Sequence, residues 1–125
     1  MSQRWLAVTA AVLGLAGVVC AAAGAHVLPA DLPDSQRLWA TALQLHLFHA
    51  TALLAIAALA GLHRSPWICR SGWVIATGAV LFSGTLYLRA AGIDILPGPL
   101  TPLGGLIAML GWVSLIVTLI KKNPI

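Results

Sequence analysis

The chain has 125 residues, 60% of them hydrophobic and only 8% charged, and its formal net charge is +4. A soluble domain carries about 25% charged residues, so too few charges are present to cover a water-facing surface, and hydrocarbon is the simplest environment that can. Nucleic acid is excluded as the reason for the basic excess: no basic stripe with interleaved aromatics exists, and Lys and Arg stand at the ends of apolar runs.

The first apolar run covers 5–25. Arg4, the run itself and Ala23-Gly24-Ala25 imitate a secretory leader, but the run has the roughly 20 residues that a helix needs to cross hydrocarbon, and it is expected to remain as a span. Gly14, Gly17, Ala21 and Gly24 line one ridge of it, where another backbone could approach closely. Pro29 and Pro33 then break the chain, and Asp34 or Ser35 can cap a second helix over 38–62. Ser65-Pro66 is a start signal, with a short interfacial turn before a third helix over 72–91, which Gly92 closes. Pro97-Gly98-Pro99 rules out helix in the last link, and Thr101-Pro102 reads as the cap and first residue of a fourth helix over 103–120. Gly104, Ala108 and Gly111 give that helix a second small-residue ridge, for contacts within the chain or between copies.

Helix is forced on each run because a lone strand leaves its backbone polar groups unpaired in lipid. The expected fold is therefore all-α, a single membrane domain over 1–125 built as a four-helix bundle. Arg4, Arg64, Arg70, Lys121 and Lys122 fall on one side, against Arg37 and Arg89 on the other, which also holds Asp31, Asp34 and Asp94. The positive-inside rule then places both termini in the cytoplasm. Trp5, Trp39, Trp67 and Trp73 fall near the interfaces, whereas Trp112 lies near mid-membrane and is expected to pack in the bundle or face lipid. Cys20 and Cys69 lie at opposite depths, which argues against a disulfide.

Polar side chains inside lipid are expensive, so each needs a reason. His46 and His49, three residues apart, share one face of the second helix, about 12 and 16 Å deep if it enters at Leu38. Gln44 and Thr51 fall on a different face, and a helix polar on two faces is expected to be buried in a bundle. His26, Tyr87, Arg89 and Thr101 collect in the same half, while His63 lies at the opposite face. The candidate polar cluster is thus His26, Gln44, His46, His49, Tyr87, Arg89 and Thr101. Imidazoles could bind a transition metal, with His46, His49 and His26 as weak candidates because no acid or Cys accompanies them. They could relay protons or hold a small polar or quinone-like ligand. A haem attachment motif is absent, and no cofactor is expected. The plainest use is interhelical hydrogen bonding, with Arg89 and Asp94 as an interfacial ion pair. Ser83 and Ser114 have no adjacent base or oxyanion motif, so no hydrolase is expected.

Two blocks carry a family resemblance. The first holds Gly24-Ala25-His26, Trp39-Ala40-Thr41-Ala42, Gln44 and His49-Ala50. The second holds Ser83-Gly84-Thr85-Leu86-Tyr87-Leu88, Gly92, Leu100-Thr101-Pro102-Leu103-Gly104-Gly105 and Gly111-Trp112. Over nearly the whole chain these resemble the small bacterial membrane proteins of the domain-of-unknown-function 423 family, similar to the transmembrane protein 256-like proteins. The resemblance implies a multi-pass protein of the bacterial inner membrane without an assigned activity. It also implies a signature of His26, Gln44, His49, Ser83, Tyr87, Thr101 and Pro102, to which His46 belongs less clearly. The functional expectation is a non-enzymatic structural or accessory component of a membrane assembly, partnered by lipid and by a second copy or another membrane protein. The alternative is a ligand, metal or proton site using His26, His49, Tyr87 and Arg89. A minimal transporter would need oligomers, and no inverted repeat supports one.

Overall fold

The computed structural model describes residues 2–26, 28, 29 and 31–121. Lys122, counted above among the basic residues, lies outside them. Four helices follow one another: α1 (Gln3–Gly24), α2 (Ser35–Leu62), α3 (Pro66–Ala90) and α4 (Leu100–Ile120). All four are long and apolar enough to cross a membrane, and no strand occurs among the described residues. The chain is an all-α membrane bundle in which neighbours in sequence pack as antiparallel neighbours in space.

Each helix starts before its apolar run, because a helix start is set by backbone chemistry and not by the edge of hydrocarbon. α3 starts at Pro66, whose missing N–H is no loss in a first turn, and Ser65 Oγ accepts from the Ile68 N–H at 3.4 Å. The interfacial turn anticipated before 72 is this helix's own first turns. α2 begins at Ser35, with an exposed Arg37–Asp34 ion pair at 3.2 Å in its first turn. α4 begins at Leu100, so Thr101 is not its cap. The Thr101 hydroxyl is instead engaged by Thr85 of α3 at 2.7 Å, and Pro102 sits in the first turn, where no intrahelical partner is missed.

Two helix ends close with the same paired-bond motif. After α3, Ile93 N–H donates to Leu88 O at 2.8 Å and Gly92 N–H to Arg89 O at 3.0 Å, with Gly92 at φ +82°. After α2, Ser65 N–H donates to Ala60 O at 3.2 Å and Arg64 N–H to Gly61 O at 3.3 Å, with Arg64 at φ +48°. A side chain in the left-handed region is strained, and here the motif's two hydrogen bonds hold it.

α3 is the central helix. Its small residues meet those of α4 so closely that a Cβ built on Gly78 would lie 2.7 Å from both Ala108 Cα and Gly104 O. One built on Gly104 would lie 2.9 Å from Phe82 Cα. Such approach brings backbones into van der Waals contact and replaces the hydrophobic drive that lipid removes. The α4 ridge is therefore used within the chain. On α1, Gly17 lies under Leu47 and Gly24 under Trp39, while nothing approaches Gly14. The half of the bundle nearest the termini has an apolar core, with Leu6, Leu53 and Ile75 fully enclosed. The other half carries His46, Tyr87, Thr85 and Thr101, while the terminal half holds one polar pair, Ser71 and Ser114.

Candidate functional site

His46 joins three helices. Its Nε2 lies 2.7 Å from Leu13 O of α1 and its Nδ1 lies 2.8 Å from the Tyr87 hydroxyl of α3. A carbonyl only accepts, so Nε2 carries the hydrogen. In the neutral ring Nδ1 then accepts, and Tyr87 donates to it. The Tyr87 ring packs tilted, at 60° and 4.6 Å between centroids, against Trp39 of α2, whose indole N–H donates to Cys20 O of α1 at 2.9 Å. Trp39, Tyr87 and His46 thus form one linked unit across α1, α2 and α3.

His49 takes the opposite tautomer. Its Nδ1 lies 2.8 Å from Leu45 O on its own helix, which makes Nδ1 the donor. Its Nε2 accepts from the Trp112 indole N–H of α4 at 3.1 Å. Trp112 is donor-only, so at mid-membrane depth it needs such an acceptor. The two histidines are both buried. Although they share a face, each has its two nitrogens engaged, one ring between α1 and α3, the other toward α4.

Further polar links join the same helices. Ser83 donates to Ala42 O at 2.9 Å, Thr85 bonds Thr101, and Ser71 bonds Ser114 at 2.8 Å. Arg89 donates to Gly98 O at 2.9 Å, so its guanidinium closes on the last link's backbone, and the anticipated pair with Asp94 does not form. His26 lies exposed in the turn after α1. Gln44 and Thr51 are also exposed, contrary to the expectation that α2 is buried on two faces. Thr51 folds its hydroxyl onto Leu47 O at 3.0 Å, which hides that group on its own helix. The Gln44 amide makes no hydrogen bond among the described residues. Among those residues no three or more His, Cys, Asp or Glu gather where a metal could sit.

The structure thus brings His46 to Tyr87 and Thr101 to Thr85, and it leaves His26 and Gln44 outside these links. Sequence reasoning missed Trp39, Trp112 and Ser83 as partners. A signal existed for the indoles, since a donor-only ring at membrane depth implies an acceptor, but spacing could not say which one. A cavity of about 220 Å³ lies beside the His46–Tyr87 pair, between α1 and α3.

A family model described as "Protein of unknown function (DUF423)" matches residues 20–105. The chain is 34% identical over 113 residues to the UPF0382 membrane protein YwdK of Bacillus subtilis, covering 89% of this chain and 92% of that protein. It is 36% identical over 119 residues to the UPF0382 membrane protein C1782.12c of Schizosaccharomyces pombe, covering 86% and 95%. It is 34% identical over 122 residues to the UPF0382 inner membrane protein YgdD of Escherichia coli K12, covering 97% and 93%. No solved structure matches the chain.

Proposed function

The chain belongs to the DUF423 family of membrane proteins of unknown function, and from that premise we propose that it is a non-enzymatic inner-membrane protein serving as an accessory component of a membrane assembly. The observation that carries this reading is the outward face of α2. Thr41, Gln44, Phe48, Thr51, Ala55, Ala58 and Leu62 follow one another at alternating steps of three and four residues, and all are exposed. That period of 3.5 is the seam of a left-handed helix pair. Four of the seven are Thr or Ala, which lets a second helix approach closely. The Gln44 carboxamide, unpaired and facing lipid, holds one donor group and one acceptor. It is self-complementary, so the same amide of a second copy would satisfy it with two reciprocal hydrogen bonds.

The rival reading, a ligand or metal site built from His26, His49, Tyr87 and Arg89, finds less support. Both His49 nitrogens and the Arg89 guanidinium are engaged within the chain, and His26 stands exposed at the end of α1. In the accessory reading the end bearing Arg4, Arg64, Arg70 and Lys121 faces the cytoplasm, by the positive-inside rule.

The test is disulfide crosslinking in native membranes, with Cys20 and Cys69 replaced by alanine. Ala58→Cys on the seam is expected to give a crosslinked species, and Val12→Cys, exposed on α1, is not. Adding Gln44→Leu should lower the Ala58→Cys yield several-fold, as the loss of an interhelical hydrogen bond of about 1 kcal/mol would. Equal yields from the α1 and α2 positions would remove the support for this reading.

A further inference from the structure

At the end of the bundle away from the termini, the link after α1 meets the link after α3. Leu32 of the first lies against Gly92, where a Cβ would stand 3.3 Å from its Cδ1. Between these links and the end of α3 lies an open depression of about 750 Å³, lined by Leu32, Arg89, Gly92, Asp94, Leu96 and Gly98. Its level in the membrane follows from length. α3 has 25 residues, which is about 38 Å at 1.5 Å per residue, against a hydrocarbon core of about 30 Å. Arg89, in the last turn of that helix, therefore stands at the headgroup layer. Ile93 and Ile95, on either side of Asp94, are 43% and 80% exposed. At this level such side chains can bury among acyl chains, which keeps the link on the bilayer surface.

The depression carries one cation and one anion that do not neutralise each other. Arg89 is half-buried and gives a single one of its N–H donors to Gly98 O; the others meet no acceptor among the described residues. The Asp94 carboxylate has neither an ion pair nor a hydrogen bond among them. Gly98 O holds the guanidinium back on the link, so the two opposite charges face one space without closing it. A group that satisfies both must itself carry both charges, its anion toward Arg89 and its cation toward Asp94. The planar guanidinium suits a phosphate, which can take two N–H bonds at once. The carboxylate only accepts, so the cation must donate. A primary ammonium does so, whereas a quaternary one has no N–H to give.

We propose that this depression binds a phosphoethanolamine group, carried as the headgroup of a lipid in that leaflet, with its phosphate on Arg89 and its ammonium on Asp94. The proposal is independent of the assembly reading, since the outward face of α2 takes no part in it. Asp94 offers a clean variant, because its side chain is exposed and holds nothing else in place. Asp31 offers the control: it is an exposed acid in the link after α1 and does not line the depression.

The experiment offers the full chain, in detergent micelles, an equimolar mixture of phosphatidylethanolamine, phosphatidylcholine and phosphatidylglycerol with matched acyl chains, and counts retained lipids by native mass spectrometry. Phosphatidylethanolamine is expected to be retained about tenfold over phosphatidylcholine, a selectivity within reach of one hydrogen bond to a charged group. Asp94→Ala should abolish that preference, while Asp31→Ala keeps it. Arg89→Gln should lower retention of phosphatidylethanolamine and phosphatidylcholine together, since both carry the phosphate; its unfolding midpoint reports whether it is folded. Soluble phosphoethanolamine at the lipid's concentration should leave the lipid in place. Equal retention of the ethanolamine and choline lipids, or a preference that survives Asp94→Ala, would overturn the assignment. So would a preference for phosphatidylglycerol, which would leave the arginine acting alone. Displacement by soluble phosphoethanolamine would overturn the lipid as its source.

Discussion

A histidine ring buried in a membrane must place two nitrogens, one of which donates while the other accepts. His46 and His49 solve this in opposite ways. His46 points its N–H across to Leu13 O and accepts from Tyr87, whereas His49 returns its N–H to Leu45 O on its own helix and accepts from Trp112. One of the bundle's indoles lacks such a partner: the Trp73 Nε1 is buried without a hydrogen bond among the described residues. Interhelical hydrogen bonds in membranes average about 0.6 kcal/mol and reach about 1.7. A double-mutant cycle on His46→Phe and Tyr87→Phe, read by unfolding in mixed micelles, should therefore give a coupling within that range. A coupling indistinguishable from zero would mean that the two rings merely touch. That these residues share one half of the bundle follows from their spacing. Which partner each takes does not, because helical period assigns a residue to a face without naming the neighbour across it.

The elements are held by contacts of two kinds. Polar links join α2 to α1, α3 and α4, and α3 to α4 as well, where close backbone approach adds to them. At that interface Gly78 is the sensitive point, since its Cβ position lies 2.7 Å from Ala108 Cα. Gly78→Val should destabilise the bundle by about 1–3 kcal/mol through overpacking. Gly14→Ala, on a ridge position that nothing approaches, should be neutral or stabilise by up to about 1 kcal/mol through helix propensity. The same micelle unfolding assay reads both, and a neutral Gly78→Val would show that the α3–α4 contact is looser than described. Small-residue ridges were legible along α1 and α4, and so was the stop at Gly92. The start signal of α3 was legible in Ser65-Pro66, although the apolar run put the helix at 72; the start of α4 was not, because Thr101-Pro102 looks like the same signal. Ser65 does cap its helix, while Thr101 is drawn inside by Thr85. That competing partner lies 16 residues away in sequence.

For the whole molecule the first question is sidedness. In a chain with Cys20 and Cys69 replaced by alanine, Arg64→Cys should react with a membrane-impermeant maleimide only from the cytoplasmic face, and Asp94→Cys only from the opposite face. The reverse pattern would overturn the orientation drawn from the basic residues. Composition and the lengths of the apolar runs were enough to establish four spans, because a backbone in hydrocarbon has no alternative to helix. They also placed His46, Tyr87 and Thr101 in one half, since depth follows from counting along a helix at a constant rise. Packing alone revealed that α4 keeps its small-residue ridge for α3, that Gln44 faces outward while His46 and His49 face inward, and that α1 and α3 part to leave a cavity. Those outcomes depend on how each helix is rotated and which neighbour it meets. Rotation is set by side-chain fit between segments far apart in the chain, and a one-dimensional pattern carries no record of that fit.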